Sequence, residues 1–174
     1  MLACLAAGCG GETRTVATAP PEIDFTYVDR EAPRAPAGWK MTSNTPSGMT
    51  FAYTPSWRSS EAGVATGPDG TSCAGDTRRR DKAVDVESPT TSYVRGFEAT
   101  GARPVEVRIE RYPDRDLGRF ELVAEGERAP SGSLAVGAFP RADRLWCAVK
   151  DPADFRRHRA TFERIIATLA LPED

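Results

Sequence analysis

The stretch Leu145-Trp146-Cys147-Ala148-Val149-Lys150-Asp151-Pro152 joins the two elements that decide this fold. The run at 145–149 predicts a strand. Asp151 is suited to cap a helix and Pro152 to occupy its first turn, so a helix is predicted to follow. Its apolar stripe is built at three- and four-residue spacing from Phe155, His158, Phe162, Ile165, Ile166 and Leu169. Such a helix is expected to pack on the apolar face of a sheet.

Working outward, alternating or apolar segments separated by turn formers predict further strands. They lie at 23–27, 39–42, 49–53, 83–87, 105–111, 120–125 and 134–139. The clearest is 105–111, in which Val105, Val107 and Ile109 point one way and the charged residues between them point the other. Adjacent hairpins predict an α+β fold, a twisted and mainly antiparallel sheet with the C-terminal helix packed on one face.

Two segments in the middle of the chain carry other signals. Residues 59–82 are rich in Gly, Ser, Thr and Asp and are predicted to be irregular, ending in the basic run Arg78-Arg79-Arg80-Asp81-Lys82. Residues 88–91 are turn formers, and 93–97 is interpreted as a strand or an irregular edge.

The first 21 residues predict a lipid anchor rather than part of the fold. Residues 1–8 are apolar or small and are interpreted as the remnant of a signal peptide, and Leu5-Ala6-Ala7-Gly8-Cys9 resembles a bacterial lipobox. Cys9 is the predicted lipidated residue, and 9–21 form a flexible tether to a single globular domain at 22–174. Ala6 stands where Leu is usual and no basic segment precedes the apolar run, so we expect the natural start to lie upstream.

Composition narrows the class of partner. The 174 residues carry 23 Lys and Arg against 25 Asp and Glu, a net charge of −2. A nucleic-acid partner is not expected, because proteins that bind nucleic acids usually carry a basic excess. No stretch after the N-terminus approaches the length of apolar sequence that a membrane span needs.

The remaining two cysteines, Cys73 and Cys147, are predicted to form a structural disulfide. They are the pair left once Cys9 is acylated, and exported proteins fold in an oxidising compartment. The bond would tie the middle of the chain to the C-terminal strand.

The sequence offers little for catalysis, and no catalytic, cofactor-binding or metal-binding residue is predicted. The chain has a single histidine, His158, which lies on the apolar stripe and is interpreted as a packed residue. The common phosphate-binding and nucleophile-elbow motifs do not occur. A glycoside-hydrolysing site built from two carboxylates stays an alternative, because the distance between two side chains in the fold cannot be read from a sequence.

Two phrases resemble the PsbP-like α/β/α family, which covers photosystem accessory proteins and many bacterial lipoproteins. Phe51-Ala52-Tyr53-Thr54-Pro55-Ser56-Trp57 is similar to its opening of a strand, Pro, one residue and Trp. Phe162-Glu163-Arg164-Ile165-Ile166-Ala167-Thr168-Leu169 is similar to its closing helix. The resemblance spans roughly residues 36–172 and implies a binding or assembly role rather than an active site.

These observations lead to one main hypothesis and two alternatives. The main one is a lipid-anchored accessory or binding protein of the cell envelope, facing the periplasm or the exterior. It would meet the membrane through its N-terminal lipid and bind a protein partner or a small apolar ligand, without catalytic activity. The alternatives are an envelope hydrolase with a carboxylate active site and a purely structural envelope protein.

Overall fold

A computed structural model describes residues 22–31, 34–42, 48–60, 62–77, 85–124, 135–139 and 143–170. Within these ranges, eight strands form one sheet in the order β1-β7-β8-β9-β10-β6-β5-β4, and β2 and β3 form a separate hairpin. The strands are β1 Thr26–Asp29, β2 Lys40–Met41, β3 Ala52–Tyr53, β4 Arg58–Ser59, β5 Val64–Thr66, β6 Ser72–Thr77, β7 Ala102–Tyr112, β8 Arg115–Ala124, β9 Ala135–Phe139 and β10 Asp143–Ala148. The helices are α1 Glu87–Glu98 and α2 Phe155–Ala167.

The sheet is mainly antiparallel, which confirms the prediction. The long β7–β8 hairpin lies next to the edge strand β1, and β8, β9, β10, β6, β5 and β4 continue the antiparallel pairing. The exception is β1, which pairs with β7 in parallel, Thr26 lying opposite Arg108. The predicted first strand at 23–27 is therefore displaced to Thr26–Asp29 and forms the edge of the sheet. The strands predicted at 39–42 and 49–53 are present in shorter form as β2 and β3, which pair with each other.

The C-terminal helix closes one face of the sheet as the sequence predicts. Asp151 Oδ1 accepts a 2.9 Å hydrogen bond from the Ala153 amide, so Asp151 caps the 3₁₀ turn Pro152–Asp154 that precedes α2. The helical side chains then join the main hydrophobic core between α2, the sheet and the segment 48–57. Its fully buried members include Met49, Phe51, Leu117, Leu145, Phe162, Ile165, Ile166 and Leu169.

Helix α1 covers the opposite face, where the sequence prediction is wrong. Residues 85–87 and 93–97 were expected to be extended or irregular, but 87–98 is helical. Asp85 Oδ1 accepts a 2.7 Å hydrogen bond from the Ser88 amide and so satisfies an otherwise unpaired donor in the first turn. Val94 then packs with Phe120 and Leu122 of β8, and Phe97 lies against the same cluster. Residues 83 and 84 of the predicted strand lie outside the described residues.

The middle of the chain is also more regular than predicted. The expected irregular stretch at 59–82 contains β5 and β6, and β4 ends at its first residue. Its glycines serve the two tight turns between these strands, since Gly63 and Gly70 have φ of 72° and 81°. The basic run at 78–82 lies outside the described residues. Neither helix in the described part of the chain is long and apolar enough to cross a bilayer.

Candidate functional site

An open groove of about 950 Å³ separates α1 from the extended residues that lead into β1. Ile23, Phe25 and Tyr27 line one wall, and Ile23 also packs against the hydrophobic cluster under α1. The opposite wall is the exposed side of α1. Tyr27 is 44% exposed and donates a hydrogen bond to Glu87, which ties the two walls together at one end. Because this bond favours the neutral phenol, it raises the pKa of Tyr27.

The rim of the groove is acidic. Glu22 and Asp24 lie on the strand side, and Asp85 and Glu87 lie at the N-terminal end of α1. The hydrogen bonds that Ser88 donates to Asp85 lower the pKa of that carboxyl, so it is ionised at neutral pH. Four carboxylates therefore face a cavity whose size is typical of ligand sites.

A second feature is a buried network of charged side chains between β7, β8 and α2. Glu110 is fully buried and forms its centre. Its Oε1 accepts hydrogen bonds from Arg30 at 2.8 Å, Arg108 at 3.0 Å and Arg119 at 3.1 Å, and its Oε2 accepts one from the Tyr112 hydroxyl at 3.1 Å. A small cleft of about 230 Å³ opens onto this cluster. Both oxygens of Glu110 are therefore occupied by donors of the chain itself.

The network extends to α2 through Arg159. This side chain donates to Glu121 at 2.7 Å and to Glu106 at 2.5 Å, while Glu163 lies 2.5 Å from Arg119. Glu106 has a φ of 51° and lies where the β7–β8 register shifts between Val105 and Arg108. The bulge thus turns the Glu106 carboxylate toward α2.

The pKa values within the network show what it can do chemically. Burial opposes ionisation of Glu110, but its three arginine partners outweigh burial and hold the pKa of this carboxyl below its usual value. Burial together with the Glu110 charge raises the pKa of Tyr112 to about 12. Burial also raises the pKa of Glu121, partly offset by Arg159. Glu110 is thus a fixed anion and Tyr112 a fixed hydrogen-bond donor, an arrangement suited to holding elements together rather than to exchanging protons.

His158 lies at the margin of the core, where its ring stacks on Phe162 with centroids 6.2 Å apart. Its Nε2 is 2.8 Å from Asp69 Oδ2, in the turn between β5 and β6. Asp69 also accepts hydrogen bonds from the Thr71 hydroxyl and the Thr71 amide, and lies 3.1 Å from Arg157. The hydrogen bond from the Thr71 hydroxyl, together with backbone hydrogen bonds to this carboxyl and the nearby His158, lowers the pKa of Asp69 to about 2. This pair therefore fixes the turn to the start of α2.

The structure places the residues that the sequence singled out as follows. Cys73 and Cys147 lie directly opposite each other on β6 and β10, and a disulfide joins them within the core. Trp57 is 5% exposed and contacts Phe162 edge-on at 6.5 Å, so it is a packing residue. Cys9 lies outside the described residues. Among those that are described, no group of three or more His, Cys, Asp and Glu side chains is arranged to hold a metal ion.

Sequence reasoning missed both the groove and the charged network. The groove is formed by residues 22–27 together with residues 85–95. No local sequence pattern indicates a contact between segments so far apart in the chain. The alternation in β7 did place Arg108 and Glu110 on one face. The sequence carried no sign that α2 would cover that face.

The same fold occurs in the solution structure of cyanobacterial PsbP (CyanoP) from Synechocystis sp. PCC 6803. The two chains are 13% identical and superpose with a TM-score of 0.51, and the match covers 78% of this chain and 94% of the other. The likeness confirms, for the fold alone, the PsbP-like resemblance found in the sequence. No protein-family model and no curated protein matches the chain.

Proposed function

We propose that this chain is a lipid-anchored accessory protein of the cell envelope that faces the periplasm or exterior and binds a partner, without catalytic activity of its own. The observation that carries the proposal is the groove between residues 22–27 and α1. It combines an aromatic wall with four acidic side chains, a combination suited to holding a ligand. The fold that the chain shares with cyanobacterial PsbP supports an accessory role.

The position of the groove fits an anchored protein. Its first lining residue, Glu22, follows the predicted lipidated residue Cys9 by 13 positions. A flexible tether of that length spans about 20 Å as a coil and about 45 Å when extended. A lipid on Cys9 would therefore hold the groove close to the membrane surface, within reach of partners embedded in it.

The buried disulfide supports an extracytoplasmic location. Disulfides persist in oxidising compartments and are rare where thiols are kept reduced. Cys73 and Cys147 are both fully buried in the core, so the bond is part of the packing of the domain.

The alternative, a hydrolase with a carboxylate site, is disfavoured at the cleft of Glu110. Several arginines surround that carboxylate, and its lowered pKa keeps it ionised, which removes it as a general acid. Both of its oxygens accept hydrogen bonds from the chain, so activation of water would first require breaking the network. The geometry of this cleft is thus suited to structural pairing rather than to hydrolysis.

The anchor is tested by replacing Cys9 with serine in the chain expressed with its natural leader. We expect wild type to partition with membranes and to incorporate labelled fatty acid, and Cys9→Ser to lose both. Cys4→Ser is the matched control, since Cys4 lies in the same segment but outside the lipobox, and it should behave as wild type. A Cys9→Ser protein that stayed in the membrane fraction would reject the anchor.

A further inference from the structure

The wall that α1 contributes to the groove is long enough for a short extended peptide. Its lining residues are Glu87, Ser88, Thr91, Ser92 and Arg95, which share one side of the helix. The eight-residue rise from Glu87 to Arg95 corresponds to about 12 Å. An extended chain covers that length with about four residues. The Thr91 and Ser92 hydroxyls of this wall are suited to hydrogen-bond the main chain of such a segment.

The acidic lining of the groove favours a partner that carries positive charge. Four carboxylates and one guanidinium line it, and that guanidinium, Arg95, forms a 2.8 Å ion pair with Glu98 outside the groove. Asp85 accepts a hydrogen bond from the Ser88 amide and Glu87 accepts one from the Tyr27 hydroxyl, so neither bond pairs its carboxyl with a cation. Glu22 and Asp24 make no ion pair or side-chain hydrogen bond to any other residue that the structure describes, so their charge is available to a cation.

The aromatic wall adds a binding surface for the stems of long cationic side chains. Phe25 is half-buried, and one face of the exposed Tyr27 ring is covered by Arg111 at 4.3 Å from the ring centroid. This stacking shows that the wall already accepts a guanidinium of the chain. Lysine and arginine bury their methylene stems on such surfaces while the charged group reaches the acidic rim.

We propose that the groove binds an extended, lysine- or arginine-containing segment of a partner protein. The inference rests on the accessory role proposed above and specifies the chemistry of the partner. Anionic lipid headgroups and nucleic acids are disfavoured occupants, because the four carboxylates repel phosphate. A neutral apolar ligand would use the aromatic wall but would leave the rim carboxylates without counter-charges.

The test measures, by fluorescence anisotropy, the binding of a labelled peptide to the full chain carrying Cys9→Ser. The probe is a labelled six-residue peptide of alternating lysine and valine, compared with one in which glutamine replaces lysine. We expect the lysine peptide to bind at least about tenfold more tightly, and more weakly at about 300 mM than at about 50 mM salt. The double variant Glu22→Gln/Asp24→Asn should weaken binding about threefold to tenfold. Asp29→Asn/Asp114→Asn, which removes two exposed carboxylates outside the groove, should stay within about twofold of the parent.

Three results would overturn the inference. Equal binding of the lysine and glutamine peptides would assign the groove to an apolar ligand. No loss in Glu22→Gln/Asp24→Asn would show that the lysine peptide binds outside the groove. Tighter peptide binding after replacement of Arg78, Arg79 and Arg80 by glutamine would assign it to the basic run of the chain itself. Because the peptide assay uses unlipidated protein, its failure leaves the membrane-partition result for Cys9 unaffected, and the two proposals fail separately.

Discussion

Replacing Glu110 with glutamine tests whether the buried Arg119 depends on this carboxylate for charge compensation. The change keeps the shape of the side chain but removes the negative charge that Arg30, Arg108 and Arg119 share. The Arg119 side chain is 4% exposed and would then depend on Glu163 as its remaining counter-charge. Removing one partner of a buried ion pair costs about 3–5 kcal/mol, because the remaining charge stays desolvated. We therefore expect the free energy of unfolding to fall by about 3–5 kcal/mol.

Urea denaturation followed by circular dichroism measures this loss as a lower midpoint with an unchanged m-value. For a chain of this length the same loss lowers Tm by roughly 6–20 °C. Asp114→Asn is the matched control, since Asp114 pairs with Arg115 at 2.7 Å but is 63% exposed, and it should cost less than about 1 kcal/mol. A Glu110→Gln protein as stable as Asp114→Asn would refute the reasoning.

Three further predictions concern packing, pH and the disulfide. Gly118→Ala should destabilise by about 1–3 kcal/mol in urea, because the new methyl would overlap Thr90 and lie 2.9 Å from its Cβ, whereas Gly96→Ala has open space and should be neutral or stabilising. The pKa of Asp69 falls from 3.8 to about 2 on folding, so this carboxyl contributes stability above pH 4 that is lost as the pH drops toward 2. The difference in unfolding free energy between wild type and Asp69→Asn should therefore shrink over that range. A constant difference would contradict this. Reduction of the bond between Cys73 and Cys147, which closes a separation of 74 residues, should cost about 4.5 kcal/mol of unfolding free energy, and two titratable thiols in the unreduced, denatured mature protein would show that the bond is not formed.

The parts of the fold that the sequence predicts are those with a repeated local pattern. Helix α2 can be predicted because its apolar residues recur at three- and four-residue spacing from Phe155 to Leu169. Helix α1 is not, because Ser88-Pro89-Thr90-Thr91-Ser92 has the composition of a turn, while the contacts that make it helical come from Val94 and Phe97 against the sheet. Tertiary packing overrides weak local propensity at this point.

The candidate sites escaped prediction for a different reason, which is sequence distance. Glu110 is neutralised by Arg119 across the β7–β8 hairpin and by Arg30 from the end of β1. Neither arginine stands out in its local sequence. Nothing in the sequence indicates that either one is paired with a buried carboxylate. The groove likewise depends on two segments about 60 residues apart, so its acidic character appears only when both walls are assembled.

The charged network also explains how α2 acquires one position on the sheet. An apolar stripe alone tolerates sliding and rotation, since hydrophobic contact has little direction. Arg159 meets Glu106 and Glu121 on two different strands, and Glu163 meets Arg119 from the next turn of the helix. Displacing α2 by one residue would break these ion pairs while much of the apolar contact persisted. Ion pairs that contribute little net stability can still select one arrangement in this way. The left-handed conformation of Glu106 has its role here, because the bulge brings one of these carboxylates to the helix.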